Sequence, residues 1–281
     1  MTAPANRYVH PRAGRFGRMV ASVLDCATLA RVRHAVMRRL PYVRMASDVR
    51  DVVYLTWLVD AAAARTLLPP GVKLRERDGL TPFTILSYRH GHFGPALLGP
   101  LRRLFPSPLQ SNWRLYLEEE GVPTVWFVKN IMDSLPYAAG TRLFSDIMQT
   151  HLAERFVCER RGDAVDVAIG AGQGSAADFS CSAAASGDRH SPPEFGALFD
   201  NWHQAVAALA LQERAIGWSA RFHRLVSAEI ALPVDVDAVL PLRVAPGAWR
   251  CPLLEQLGPV GEPFCFLVPS VRFQVLSERL L

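Results

Sequence analysis

The stretch Ser111–Gly121, SNWRLYLEEEG, constrains the fold more than any other part of the chain. Side chains alternate across a strand, so it sets Trp113, Leu115 and Leu117 on one face and Asn112, Arg114, Tyr116 and Glu118 on the other. One face is apolar. The other carries an amide, a guanidinium, a phenol and a carboxylate in register. A sheet with one solvated face fits this pattern, and so does the inner wall of a small barrel around a polar ligand.

The rest of the chain supplies many short strands and few helices. Val52–Val59 reads as a strand, and Asp60 caps a short helix, Ala61–Leu68, that stops at Pro69-Pro70-Gly71. Thr81–Arg89 follows the Asp78-Gly79 turn. Residues 91–110 form a Gly/Pro-rich loop, HFGPALLGPLRRLFPSP, long enough for a lid or pocket rim. After the opening strand come a turn at Glu120-Gly121 and a strand Thr124–Lys129. Residues Leu135–Glu154 are helical in part, beginning at Pro136. Further strands fall at Arg155–Glu159, Ala164–Ile169, Ala176–Ala183 and Ser219–Ile230. A short helix lies within Ser191–Leu209, with Ser191 as its N-cap. These elements predict a mostly β (α+β) fold, a largely antiparallel barrel or sandwich with flanking helices.

The N-terminal residues differ in character. Residues 1–14 are Pro- and Arg-rich and read as disordered. Apolar residues from Phe16 to Met37 recur at helical spacing, which predicts one amphipathic helix of about 20–25 residues ending before Pro41. The first 50 residues hold ten arginines against Asp25 and Asp48, while the whole chain carries +5. This basic face is solvated, packed on its own domain, or placed against a partner or an anionic membrane surface. The chain thus divides into a basic tail and helix, 1–45, and a single domain, 46–281, with a Pro/Gly-rich C-terminal extension from about residue 245.

Several function classes lose support. No apolar run reaches the roughly 18 residues that span a membrane. Five dispersed cysteines without CxxC spacing predict reduced thiols in a cytoplasm. No Cys/His spacing suits zinc, so no metal is expected. There is no GxGxxG after a strand, no GxxxxGK[ST], no HExxH and no GxSxG, so no cofactor is expected. Gly170–Gly174 reads as a turn, lacking the helix that a phosphate cradle needs.

Five motifs in sequence resemble the bacterial YqjF-like family. Tyr54–Gly71, YLTWLVDAAAARTLLPPG, is similar to its opening strand, short helix and Leu-Pro-x-Gly turn. Asn112–Leu117, NWRLYL, resembles its Asn-x-Arg-x-Tyr strand, and Gly121–Val128 its next strand. Gly140–Phe144, GTRLF, and Glu213-Arg214 resemble later motifs, so the resemblance covers about residues 47–245 in order. It implies the acetoacetate-decarboxylase-like fold, a closed, mostly antiparallel β-barrel around a polar cavity. Those decarboxylases use a lysine Schiff base beside a second cationic group. The corresponding stretch here, Gly140–Thr150, contains no lysine. Met148 or Gln149 stands about where the nucleophile belongs, and Lys129 lies on the preceding strand, on the side of Val125 and Phe127 by parity.

The candidate site follows. Arg114 inside a cavity would bind a carboxylate or enolate bidentately, or it pairs with Glu118. Glu118 is a general base or a counter-ion; Tyr116 shares its face, and Asn112 contacts substrate or secures the strand. Arg142 lies where the related enzymes place charged helix-start residues, or forms a structural ion pair. Tyr88, His90 and His92 share parity at the start of the loop, and His151 is a candidate acid–base in place of the lysine. The expectation is a cofactor-independent lyase, isomerase or cyclase on a keto-acid or polyketide-like substrate. A non-catalytic binder of an acidic small molecule is the alternative, and a peripheral membrane or partner-docking protein the third. The expected partner is a small anionic molecule and no nucleic acid. Membrane-surface contact by the N-terminal helix and a homo-oligomer are admitted.

Overall fold

The computed structural model describes residues 6–37, 39–119, 121–219 and 222–281. Two N-terminal helices, α1 (Arg15–Leu24) and α2 (Ala27–Met37), lead into β1 (Met45–Asp60), α3 (Ala61–Arg65) and β2 (Leu80–Arg89). A two-residue strand, β3 (Gly94–Pro95), runs into a 3-10 segment, Ala96–Leu104. Then come β4 (Leu109–Leu117), β5 (Thr124–Met132), α4 (Leu135–Phe144) and β6 (Thr150–Leu152). A meander follows: β7 (Arg155–Arg161), β8 (Ala164–Gly170) and β9 (Phe179–Ala185). The chain ends with α5 (Trp202–Ala210), β10 (Arg214–Ser219), β11 (Arg224–Ala231), β12 (Leu240–Arg250), α6 (Pro252–Gln256) and β13 (Val260–Leu280).

Seven strands form a ring, in the order β1-β2-β4-β5-β10-β11-β13, closed by β13 pairing back onto β1. All neighbours are antiparallel except β5 and β10. From β13 the sheet continues through β12, β9, β8 and β7, and this second layer folds over the ring. The layers meet on a core containing Trp57, Phe83, Trp113, Leu115, Val167 and Phe179. A second core lies inside the ring and takes in Ala205, Val206 and Leu209 of α5 beside Tyr54, Tyr116 and Phe266. Helix α5 thereby stops one end of the ring. The mostly β, closed-ring architecture with flanking helices is the one expected from the strand pattern.

Local chemistry explains the boundaries. The Asp60 carboxylate accepts the Ala63 N–H at 2.6 Å and starts α3. Asp78 (φ 51°) and Gly79 (φ 78°) both adopt the left-handed conformation that a two-residue hairpin turn demands. Helix α5 is capped by Asn201, whose side chain accepts the Gln204 N–H at 2.9 Å, and not by Ser191.

Four expectations are corrected. The single N-terminal helix is two, broken at Asp25-Cys26, where the Asp25 carboxylate accepts the Tyr8 N–H at 2.9 Å and pairs with Arg142 at 2.7 Å. Residues 6–14 are anchored against the body, with Tyr8, His10 and Pro11 buried; residues 1–5 lie outside the described residues. Ser219–Ile230 is not one strand: β10 ends at Ser219 and β11 begins at Arg224, with 220–221 outside the described residues. The C-terminal residues form no extension, because β13 is the longest strand and closes the ring. The expected turn at Glu120-Gly121 falls partly on Glu120, which is outside the described residues.

Candidate functional site

The ring encloses a cavity of about 60 Å³. Its polar base is made by Gln110, Asn112 and Arg114 of β4 with Tyr54 and Tyr88. Successive inward positions of β4 provide the first three, so the alternation read from the sequence holds, but both faces of β4 are buried. Toward the other end the walls are apolar, and Phe127, Met148, Leu232, Phe273 and Val275 are partly exposed at the mouth.

Two one-residue irregularities decide which side chains reach this space. Asp51 takes φ 49° at a register shift between β1 and β2, so Val49 and Val52, three apart, both line the cavity. On β5 the register to β4 slips between Trp113↔Lys129 and Arg114↔Phe127, leaving Val128 as an extra residue. Phe127 therefore points inward with Arg114, while Lys129 sides with Trp113 on the outer face. The parity that grouped Lys129 with Phe127 is overturned by this bulge.

Arg114 is 3% exposed. Its Nη2 donates to the Leu209 carbonyl oxygen at 2.6 Å, in the last turn of α5, and its Nε donates to the Tyr116 hydroxyl at 3.3 Å. Its guanidinium carbon lies 5.2 Å from the Tyr54 ring centre and 5.5 Å from that of Tyr116. Tyr116 donates to the same Leu209 oxygen at 3.1 Å and is held by Thr84, itself bonded to Thr56. No ion pair formed among the described residues includes Arg114. Glu118, the expected partner, follows the end of β4 and is exposed, with its N–H bonded to the Lys73 carbonyl. A buried guanidinium without a carboxylate is an unfavourable arrangement that an anionic ligand relieves.

A polar chain runs beneath the base. The Ser47 hydroxyl meets His90 Nδ1 at 2.8 Å, and His90 Nε2 meets Gln110 Oε1 at 2.7 Å. Because Oε1 can only accept, Nε2 carries the proton and Nδ1 accepts from Ser47. Gln110 Nε2 then donates to Asn130 Oδ1 at 3.4 Å, and Asn112 Nδ2 donates to the same oxygen at 2.6 Å. This order fixes every amide and leaves Asn112 Oδ1 buried without a partner. Burial pushes His90 down from 6.5 to about 4, so the chain is uncharged at neutral pH. Burial also raises Tyr54 and Tyr88, so both are neutral hydroxyls.

Arg142 and His151 are not at this cavity. They belong to a second cluster between β5–β6 and the N-terminal segment. Arg142 pairs with Asp25 and donates to the Asn6 carbonyl at 2.6 Å. His151 accepts from the Ser175 hydroxyl at 2.6 Å and donates to Asn6 Oδ1 at 2.9 Å. Burial, with Lys129 and Arg142 nearby, holds His151 neutral. Lys129 donates to the Ser175 carbonyl at 2.9 Å and is lowered to about 8, by burial first and by Arg142 second. Both positions thus have structural partners. His92 is half-buried at φ 55°, and of the expected loop 91–110 Gln110 alone lines the cavity, as a residue of β4.

Neither lysine of the chain, Lys73 or Lys129, lines the cavity; Ile147 and Met148 enter it after α4. Among the described residues no group of acidic, His or Cys side chains is placed to hold a metal, and the five cysteines are unpaired. Gln110 and Tyr54 were not among the sequence candidates. Gln110 continues the inward period of β4 two residues back, a usable signal. Tyr54 sits in a strand buried on both faces, where no alternation marks it.

The sequence comparison decides the family, because its model matches residues 46–229. The chain belongs to DUF2071, a family described as an uncharacterised conserved protein. No curated protein matches the chain. Among solved structures, a DUF2071 chain of this architecture is similar to the enduracididine biosynthesis enzyme MppR with HEPES buffer bound. That match has 16% identity and TM-score 0.56, over 86% of this chain and 88% of that one. It is also similar to acetoacetate decarboxylase from Legionella pneumophila, with 10% identity and TM-score 0.57 over 84% and 86%. A third is an acetoacetate decarboxylase-like enzyme from Sphingomonas wittichii RW1, with 12% identity and TM-score 0.57 over 86% and 94%. At these identities the likeness establishes the acetoacetate-decarboxylase-like fold. No helix among the described residues is long and apolar enough to cross a membrane.

Proposed function

We propose that this DUF2071 protein is a cofactor-independent enzyme on a small keto acid, of the lyase, isomerase or cyclase type, working without a Schiff base. The observation that carries the reading is Arg114, a buried guanidinium at a cavity base with no carboxylate partner among the described residues. It would hold a carboxylate or an enolate oxygen, and the neutral hydroxyls of Tyr54 and Tyr88 would donate to developing negative charge. Asn112 Oδ1 requires a donor, so the ligand carries a hydroxyl or enol O–H beside its anionic group. The apolar mouth selects a ligand whose remaining body is hydrocarbon or aryl.

The titratable side chains lining the cavity are Arg114, Tyr54 and Tyr88, none of which is a base near neutral pH. Catalysis would therefore come from stabilising an enolate whose α-proton passes to a solvent base at the open mouth, an effect of about 10²–10³ per well-placed donor. The same observation favours the second reading, a non-catalytic binder of an acidic small molecule.

The test is exchange of the α-protons of 2-keto acids for deuterium, followed by NMR, with binding followed by calorimetry. An enolate-forming enzyme binds and accelerates exchange, whereas a binder only binds. Arg114→Met must abolish both, and unchanged binding would remove Arg114 from the site. Borohydride with a keto acid should label neither lysine; a labelled Lys129 overturns the proposal.

A further inference from the structure

Outside the cavity, the molecule exposes apolar residues in two helical stripes and on one kinked 3-10 segment. On α1 they are Phe16, Met19 and Val23, and on α2 Leu29, Val32 and Val36. Leu97, Leu101 and Leu104 are exposed on the 3-10 segment, which is kinked at Gly99 (φ 48°), with Leu97 77% and Leu104 82% exposed. The α1 and α2 stripes each run along one side of their helix, since residues three or four apart share a face of an α-helix. The inner sides of the helices are already committed, α1 through Leu24 and α2 through Ala30. The outward stripes are therefore not parts of the core.

Two of these surfaces adjoin. The Ala96 N–H donates to the Arg44 carbonyl at 2.8 Å, so the 3-10 segment begins where the linker from α2 ends. Tyr42 and Val43 of that linker are exposed as well. Met45, the next residue, pairs with both Pro95 and Val275, and Val275 lines the cavity. The apolar surface thus stands beside the open end of the ring.

The exposed charge carried by α1, α2 and the 3-10 segment themselves is of one sign, although Asp133 and Glu154 of the body lie beside Phe16. Arg15, Arg18, Arg31, Arg39, Arg44 and Arg103 are exposed and join none of the ion pairs formed among the described residues. The one acidic residue between positions 6 and 44 is Asp25, which is paired with Arg142. A second copy of the chain would oppose arginine to arginine. A nucleic acid would leave the apolar stripes without a partner. An anionic bilayer satisfies both features, burying apolar side chains below the headgroups and placing guanidiniums among them.

We propose that the α1–α2 face, with the 3-10 segment Ala96–Leu104, docks this protein on an anionic membrane surface. Docking would be peripheral, with the open end of the ring close to the lipid.

Sedimentation of the full chain with vesicles tests this. It should pellet with phosphatidylglycerol-containing vesicles and stay free with pure phosphatidylcholine. It should be released between about 0.1 M and about 1 M salt, where the screening length falls from ~10 to ~3 Å. Arg15→Gln with Arg18→Gln should lower the partition roughly thirtyfold, from about fivefold per arginine near an anionic surface. Leu97→Ser with Leu101→Ser and Leu104→Ser should also lower it, with near-UV circular dichroism confirming the fold of each variant. Failure to pellet with anionic vesicles overturns the proposal, as does equal binding to both vesicles. A protein dimer that the leucine substitutions dissociate, with vesicle binding unchanged, would assign the face to a second copy instead.

Discussion

Replacing Arg114 by Met separates a ligand-binding guanidinium from a structural one. The substitution removes charged hydrogen bonds to the Leu209 carbonyl and the Tyr116 hydroxyl, worth about 2 kcal/mol each. It also removes contacts with the Tyr54 and Tyr116 rings, worth ~1 kcal/mol each. Against this stands the desolvation of an ion with no carboxylate partner, several kcal/mol. The apolar burial gained by Met adds about 1.5–3 kcal/mol. Leu209 keeps an acceptor role, because Tyr116 still donates to it. The sum lies near zero, so Arg114→Met should change unfolding free energy by no more than ~1 kcal/mol, a Tm shift of a few degrees. Binding of 2-keto acids should vanish. Urea unfolding and calorimetry on the same preparations give both numbers. A loss of about 3–5 kcal/mol, the usual result of breaking a buried ion pair, would mean that Arg114 has a counter-charge and holds the fold.

Three further perturbations have defined outcomes. His90 has a native pKa of about 4 against an ordinary 6.5, so the unfolded chain takes up the proton first on acidification. Stability is therefore complete above the ordinary value and falls toward the native one, with about 2 kcal/mol lost at pH ~5. In urea titrations His90→Gln should be less pH-dependent than the parent by that amount, and an unchanged slope would refute the neutral assignment. Lys129 has a native pKa of about 8 against 10.5, so its charge is a burden at neutral pH that disappears above the higher value. Lys129→Met should gain roughly 1–3 kcal/mol at pH ~7 and nothing in strong alkali, the gain being reduced by the lost bond to Ser175. Asn112→Leu removes a buried oxygen that has no partner together with the bond to Asn130, whose oxygen keeps Gln110 as donor, so the two effects offset and stability should change by under ~1 kcal/mol. It should weaken a hydroxy- or enol-bearing acid about tenfold and leave an acid lacking that hydroxyl unaffected; equal weakening of both would show that the amide reads no hydroxyl.

What the sequence made legible was local. The alternation of β4 placed Asn112, Arg114 and Tyr116 together because inward and outward residues there differ so sharply in chemistry. It failed one step later, at Glu118, because the strand ends at Leu117 and nothing in EEE marks the last paired residue. It failed again at Lys129, where a single extra residue, Val128, reverses parity. A bulge is invisible to a period-two reading, yet here it removes one of only two lysines from the cavity wall and leaves Phe127 in its place. His151 was misplaced for another reason, and Arg142 forms the structural ion pair that was its alternative reading. Their partners Asn6 and Asp25 lie more than a hundred residues away, so no spacing rule could join them.

These errors share a direction that bears on the chemistry. The candidate bases lie elsewhere, Glu118 in solvent and His151 and Lys129 under the N-terminal segment, while Tyr116 and Tyr88 do stand beside Arg114. What remains around the cavity is one cation, neutral hydroxyls, amides and hydrocarbon. A site so composed can hold an anion and stabilise charge that forms on it, but it cannot take a proton at neutral pH. Under the proposed function, the α-proton of a substrate would therefore pass to a solvent base at the open mouth, while Arg114 and the hydroxyls hold the enolate. Keto acids whose α-protons are already activated suit such a site better than simple ketones and esters.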